Sequence, residues 1–146
     1  MAVLVQLIHF VGWPEAALPQ AGQPFSICVL AKDRWIPLLQ KSSQGESLSG
    51  HPLTVIRIAK PQEARGCQIL VIGGTPERDW LEMWGSWPVL TIGDEDRPQA
   101  SGAMVNLTVE GGRTRFRLNP ELARRANLRF SSKLLRLGGV AARGEP

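Results

Sequence analysis

Only a handful of residues in this chain have types and spacings that could do chemistry. His9 and His51 are the natural general bases, yet neither has a Ser, Cys or Asp partner in a known catalytic arrangement. Without a nucleophile–base pair the roles of an active site cannot be filled, and both read as structural. Asp94, Glu95 and Asp96 sit just past a strand end, where open α/β sheets place their sites. Three adjacent carboxylates could attract a divalent cation, but no second acidic cluster completes the shell, so they read as a solvated turn. Gly73-Gly74-Thr75 follows a strand and opens a helix, a position where many α/β folds hold phosphate. It has neither G-x-G-x-x-G nor a Walker lysine and reads as a turn with a helix cap. The expectation is a non-enzyme with no cofactor and no metal.

Two cysteines, Cys28 and Cys67, lack the spacing of metal ligands. As free thiols they would be small buried hydrophobes. As a disulfide they would close a loop of about 40 residues, worth up to ~4 kcal/mol in the chain-entropy model. The residues by themselves leave both states open. Arg113, Arg115 and Arg117 line one face of a strand and could meet phosphates or an acidic protein patch. A solvated face paired with Glu110 is the simpler reading. Trp13, Trp35, Trp80, Trp84 and Trp87 are a large aromatic load for this size, and they read mostly as core.

The net charge of +4 comes mainly from 13 arginines. It reads as scattered, without a dense Lys/Arg run, so a nucleic-acid partner is not expected. The 146 residues form a single domain, 1–146, large enough to bury its own core. No apolar stretch approaches the ~18 residues of a membrane span.

The elements that must position these residues alternate along the chain. Residues 1–11 have signal-peptide length but lack a basic leading region and an A-x-A-like cleavage site. They read as a helix buried nearly all round, ending before Pro14. Phe25 to Leu30 is an apolar run of the kind buried on both faces of a sheet. Residues 33–39 suggest a short helix interrupted by Pro37, and residues 41–50, polar and Ser/Gly-rich, a mobile loop. Strands follow at residues 53–58, 67–72 and 88–92. Between them lie a helical turn at 61–65, closed by Gly66, and a helix from a Thr75 cap through Trp84. Strands and helices alternating every ~30 residues predict an α/β fold: a mostly parallel, doubly wound (Rossmann-like) sheet flanked by helices. In such a sheet the strands of Cys28 and Cys67 are neighbours.

Residues 102–137 carry the clearest pattern. Val105, Leu107 and Val109 alternate with polar residues, as do Phe116 and Leu118 beyond Gly111-Gly112. This is a C-terminal β-hairpin with a two-residue primed turn. Its register sets Glu110 against Arg113, Thr108 against Arg115 and Asn106 against Arg117, an all-polar face for water or a partner. The opposite face pairs Val109 with Thr114, Leu107 with Phe116 and Val105 with Leu118. Asn119-Pro120-Glu121 then caps a helix at residues 120–126, which Asn127 ends in the left-handed region. Residues 131–137, beginning Ser131-Ser132, read as a serine-capped last helix whose Leu134, Leu135 and Leu137 can dock on the sheet.

The run "GAMVNLTVEGGRTRFRLNPELARRANLRFSSKLLRL" resembles the closing segment of the YfiR-like family. "HFVGWP", "PFSICVL", "ARGCQILVIGG" and "PVLTIGD" resemble its earlier strands and turns, in family order. The resemblance implies a non-enzymatic periplasmic regulator, its secretory signal removed. Such a regulator binds and represses the periplasmic sensor domain of an inner-membrane diguanylate cyclase, lowering cyclic-di-GMP and restraining biofilm formation. It also implies a Cys28–Cys67 disulfide and, as a further partner, an outer-membrane peptidoglycan-binding lipoprotein; pairing with a second copy of the chain is left open by the residues. Members with a second cysteine pair near the hairpin have no counterpart here, since residues 101–109 lack cysteine. A small-ligand-binding periplasmic sensor with a cleft at the carboxyl ends of the strands is the alternative; a membrane cyclase encoded beside the gene would favour sequestration. Leu128 and Phe130 are the expected apolar anchors of a partner face, with Arg115 and Arg117 as its rim; the competing expectation buries both apolar residues.

Overall fold

Apolar runs with no polar side must be covered on both faces, and the computed structural model covers them in one mostly parallel sheet. It describes residues 2–30, 35–72, 78–93, 102–110, 113–137 and 139–140. The chain opens with α1 (Ala2–Leu7), a 3-10 turn (Ile8–Phe10) and β1 (Val11–Gly12). A 3-10 turn (Glu15–Ala17), β2 (Phe25–Leu30) and α2 (Trp35–Ser43) follow. Next come β3 (Ser47–Leu48), β4 (His51–Arg57), a 3-10 helix (Pro61–Gly66) and β5 (Ile69–Ile72). The second half contains α3 (Arg78–Trp84), β6 (Leu90–Gly93), β7 (Val105–Glu110) and β8 (Arg113–Leu118). It closes with α4 (Pro120–Arg125), β9 (Arg129–Phe130), α5 (Ser132–Leu137) and β10 (Gly139–Val140).

The sheet runs β10-β8-β7-β6-β5-β2-β4-β3. Its inner pairs, from β4 through β2, β5 and β6 to β7, are all parallel. β7 and β8 run antiparallel in the predicted register, Glu110 opposite Arg113 through Val105 opposite Leu118; the Gly111-Gly112 link lies outside the described residues. β10 returns parallel to β8, covering its Arg117 and Leu118.

Successive side chains of the inner strands go to opposite faces. Ile27, Val29, Ile69, Val71, Leu90 and Ile92 enter one core, closed by Leu7, Ile8, Leu39, Ala123 and Leu134. Cys28, Leu70 and Ile72 enter the other, closed by Ala64 and Trp84. At roughly 1.5–3 kcal/mol for each fully buried Leu or Ile side chain, these two layers dominate the stabilisation.

Four local expectations need correction. The first helix is shorter and less enclosed than its composition suggested: Gln6 and His9 are exposed, and Val11–Gly12 leaves the helix to pair with β9. Pro37 does not interrupt α2. It stands in the first turn, where backbone N–H groups have no intrahelical acceptor to lose. Nor is the 41–50 stretch a featureless loop. Its start continues α2, and Ser47–Leu48 folds back antiparallel on His51 and Pro52. Ser49 (φ 52°) and Gly50 (φ 83°) supply the two positive φ angles that a tight primed turn requires. Finally, the polar face of the β7–β8 pair is not all for water, since Asn106 is buried and its Nδ2 donates to the Ala103 carbonyl.

Candidate functional site

The strand neighbours predicted for the cysteines are real: β2 pairs with β5, Cys28 lying opposite Leu70. Cys28 and Cys67 are joined in a disulfide with Cα atoms 6.1 Å apart. The bond is buried beside Trp84, Ile58 and Ala64.

Immediately after it stands a residue whose role the sequence concealed. Gln68 is polar, stands just before the apolar strand β5 and is only 8% exposed. Its Oε1 accepts the Ser26 amide at 2.7 Å and its Nε2 donates to the Ala17 carbonyl at 3.2 Å. Its carbonyl accepts Trp13 Nε1 at 3.0 Å and the Leu90 amide at 2.9 Å. Gln68 therefore ties the entry loop and three neighbouring segments together. One buried amide amid aliphatics was the only available signal, since buried polar groups are retained when satisfied.

The closing segment is held by local rules that the sequence does state. Asn119 Oδ1 accepts the Leu122 amide at 3.2 Å, capping α4. Asn127 ends it at φ 67°, and Ser131 Oγ accepts the Leu134 amide at 3.1 Å to start α5. Pairing of β9 with β1 and the Ser131 N–H bond to the Phe10 carbonyl then fasten the segment to the N-terminal one.

This arrangement sorts the expected partner residues. Leu128 is 2% exposed and is a core residue, not an anchor: the chain turns inward after Asn127 and drives it against the sheet. Phe130 is half-buried against the same core. Arg117 is exposed, and the Arg115 side chain lies outside the described ones. Arg124, Arg125, Arg129, Lys133 and Arg136 are exposed as well.

The charge is therefore not scattered. Residues 1–112 contain eight basic and eleven acidic side chains, a net −3, and residues 113–146 nine and two, a net +7. The asymmetry is invisible in a search for consecutive lysines and arginines, because the arginines are spread over two strands and two helices. Glu121 is the only acid between Arg113 and Arg136. It binds Arg124 directly and Arg125 at 3.9 Å. The Arg124 hydrogen bond and charge hold its carboxyl below the usual carboxylate range, with Arg125 adding to the effect. Lys133 Nζ sits 5.3 Å over the Phe10 ring, placing a cation beside the half-buried aromatics.

A separate cavity of about 380 Å³ opens between α3 and α4 at the amino-terminal ends of β6 and β7. Leu81, Trp84, Met104 and Leu122 line it, with Thr91 inside and Arg78, Glu82 and Arg125 around it. The cleft expected at the carboxyl ends of the strands falls beside residues 73–77 and 94–101. Those residues, which include Gly73-Gly74-Thr75 and the Asp94–Asp96 acids, lie outside the described ones. His9 is exposed and His51 Nδ1 meets the Gln23 carbonyl at 2.8 Å. Among the described residues no group of three or more His, Cys, Asp or Glu could hold a metal ion, and no helix is long and apolar enough to cross a membrane. Two of the tryptophans serve the interior: Trp84 is buried with its Nε1 donating to the Pro61 carbonyl, and Trp13 meets Phe25 edge-on at 4.9 Å.

No curated protein matches the chain. The sequence profile of the family described as YfiR/HmsC-like matches residues 1–139.

Proposed function

The chain belongs to the YfiR/HmsC-like family, and from that premise we propose that it is a periplasmic, non-catalytic regulator of an inner-membrane diguanylate cyclase. It binds the periplasmic sensor domain of the cyclase and represses it, keeping cyclic-di-GMP low and biofilm formation restrained. An outer-membrane peptidoglycan-binding lipoprotein or a second copy of the chain would relieve or modulate that contact.

The observation that carries this reading is the match over residues 1–139, which spans both cores and the closing segment. The buried Cys28–Cys67 disulfide supports an oxidising compartment. Exposed basic side chains on the closing segment support contact with an acidic partner patch, where opposite potentials speed encounter and set orientation. The half-buried Phe130 and the exposed Arg117, Arg129 and Arg136 are the kinds of side chain from which an apolar-centre, polar-rim protein interface is built. Among the described residues the hydrogen bond given for a histidine joins His51 to a backbone carbonyl rather than to a nucleophile, an arrangement in keeping with a regulator.

The test is genetic and chemical together. Deleting the gene should raise cellular cyclic-di-GMP and surface attachment, and a copy exported to the periplasm should restore both. Restoration by a copy retained in the cytoplasm, or an unchanged cyclic-di-GMP level after deletion, would contradict the proposal.

A further inference from the structure

The α3–α4 cavity borrows Leu122 and Arg125 from the closing segment but none of Arg117, Arg129, Phe130 or Arg136. We propose that it is a binding site for a small organic carboxylate with an apolar body. The reading starts from its walls. Leu81, Trp84, Met104 and Leu122 give it an apolar interior of about 380 Å³, within the range of small-molecule sites, which combine such walls with a few placed polar groups.

The backbone keeps the space open. Gly102 has φ +70°, and a Cβ there would come within 2.7 Å of Leu81 Cδ1. A side chain at 102 would push Leu81 aside, so glycine lets this wall approach while leaving the interior unfilled.

Two polar features select the ligand. Thr91 is 4% exposed and its Oγ1 accepts the Met104 amide at 3.0 Å, which leaves the hydroxyl proton to donate to an acceptor in the cavity. At the mouth the charges do not cancel. Arg78 is matched by Glu82 at 3.9 Å, whereas Arg124 and Arg125 share the single carboxylate of Glu121. Among the described residues one positive charge is left over at the Arg125 side, and a guanidinium suits a carboxylate in planar, paired hydrogen bonds. The ligand places its apolar body against Leu81 and Leu122 and its carboxylate at Arg125.

Octanoate is the probe, with octanol as the neutral control, titrated into the full chain by calorimetry. The expected result is octanoate binding with a dissociation constant below about 1 mM and octanol binding about 3-fold or more weaker, as one exposed charge pair allows. Arg125→Gln should bring octanoate to the octanol level, and Leu122→Trp, which fills the cavity, should abolish both. Should Leu122→Trp fail to fold, the wild-type chain decides: octanoate must shift the Met104 and Leu122 methyl resonances. No octanoate binding at millimolar concentration, equal binding of octanol, affinity unaffected by Arg125→Gln, or methyl signals that stay in place would each overturn the proposal.

Discussion

The inner strands and the closing segment are made of opposite materials. β2, β5 and β6 carry no charged side chain, and most of their residues are fully buried. From Arg117 to Arg136, each of β8, α4, β9 and α5 places at least one basic side chain in water. The first region can only hold the fold together. The second is fastened by caps and a short strand pair and carries its charges outward. Under the proposed function, stability and recognition occupy different parts of the chain, and substitutions should separate them.

The largest effect belongs to the inner region. Replacing both Cys28 and Cys67 by alanine should cost up to ~4 kcal/mol, because a long loop is released in the unfolded chain. Equilibrium denaturation under non-reducing conditions checks it; a loss below about 1 kcal/mol would mean that the bond constrains little. Leu128→Ala comes next at about 3 kcal/mol, in the range for a buried leucine that leaves a cavity. Although it lies in the closing segment, it should behave as an inner-region residue, with partner affinity retained once folding is restored by cooling. Gln68→Leu should lose about 2 kcal/mol, since the Ser26 amide and Ala17 carbonyl are left without their partner. Unchanged stability there would mean that water replaces the amide.

Phe130→Ala sharpens the boundary between the two regions. The side chain is only partly buried against the core, so stability should fall by about 1–2 kcal/mol, while partner affinity falls by about 1 kcal/mol or more. A stability loss like that of Leu128→Ala with unchanged affinity would move Phe130 wholly into the core. The smallest effect is at Glu121, whose carboxyl is held low by Arg124 and Arg125. A depressed folded-state pKa contributes stability above the unfolded value, and this is lost as pH falls through the folded one. Glu121→Gln should therefore change stability slightly at neutral pH and not at all once the wild-type carboxyl is protonated. A difference that persists into acid would assign the effect to packing.

What the sequence revealed follows the same division. Period-2 alternation on either side of Gly111-Gly112 determined the β7–β8 register, because a one-residue slip would turn Val105 and Leu107 to the wrong face. The caps at Asn119 and Ser131 were legible because their side chains act within three residues. Long-range matters were not. Leu128 reads the same as an anchor or a core residue until the turn at Asn127 aims it inward. Gln68 has partners 42 and 51 residues away, with no local pattern to announce them. Pro37 was misjudged by composition, since a proline's effect depends on its place in the helix. The basic excess of the closing segment is hidden for a related reason: its charges are spread along the segment rather than gathered in a run.

The central claim is that the closing segment is the face by which this regulator holds its partner. The direct test is the association rate of an Arg117→Glu/Arg129→Glu/Arg136→Glu chain with the soluble periplasmic domain of a diguanylate cyclase encoded beside its gene. With an unchanged melting temperature, association at low salt should slow by about 10-fold or more and lose its acceleration on dilution of salt. An association rate and salt dependence equal to those of the wild type would contradict the account.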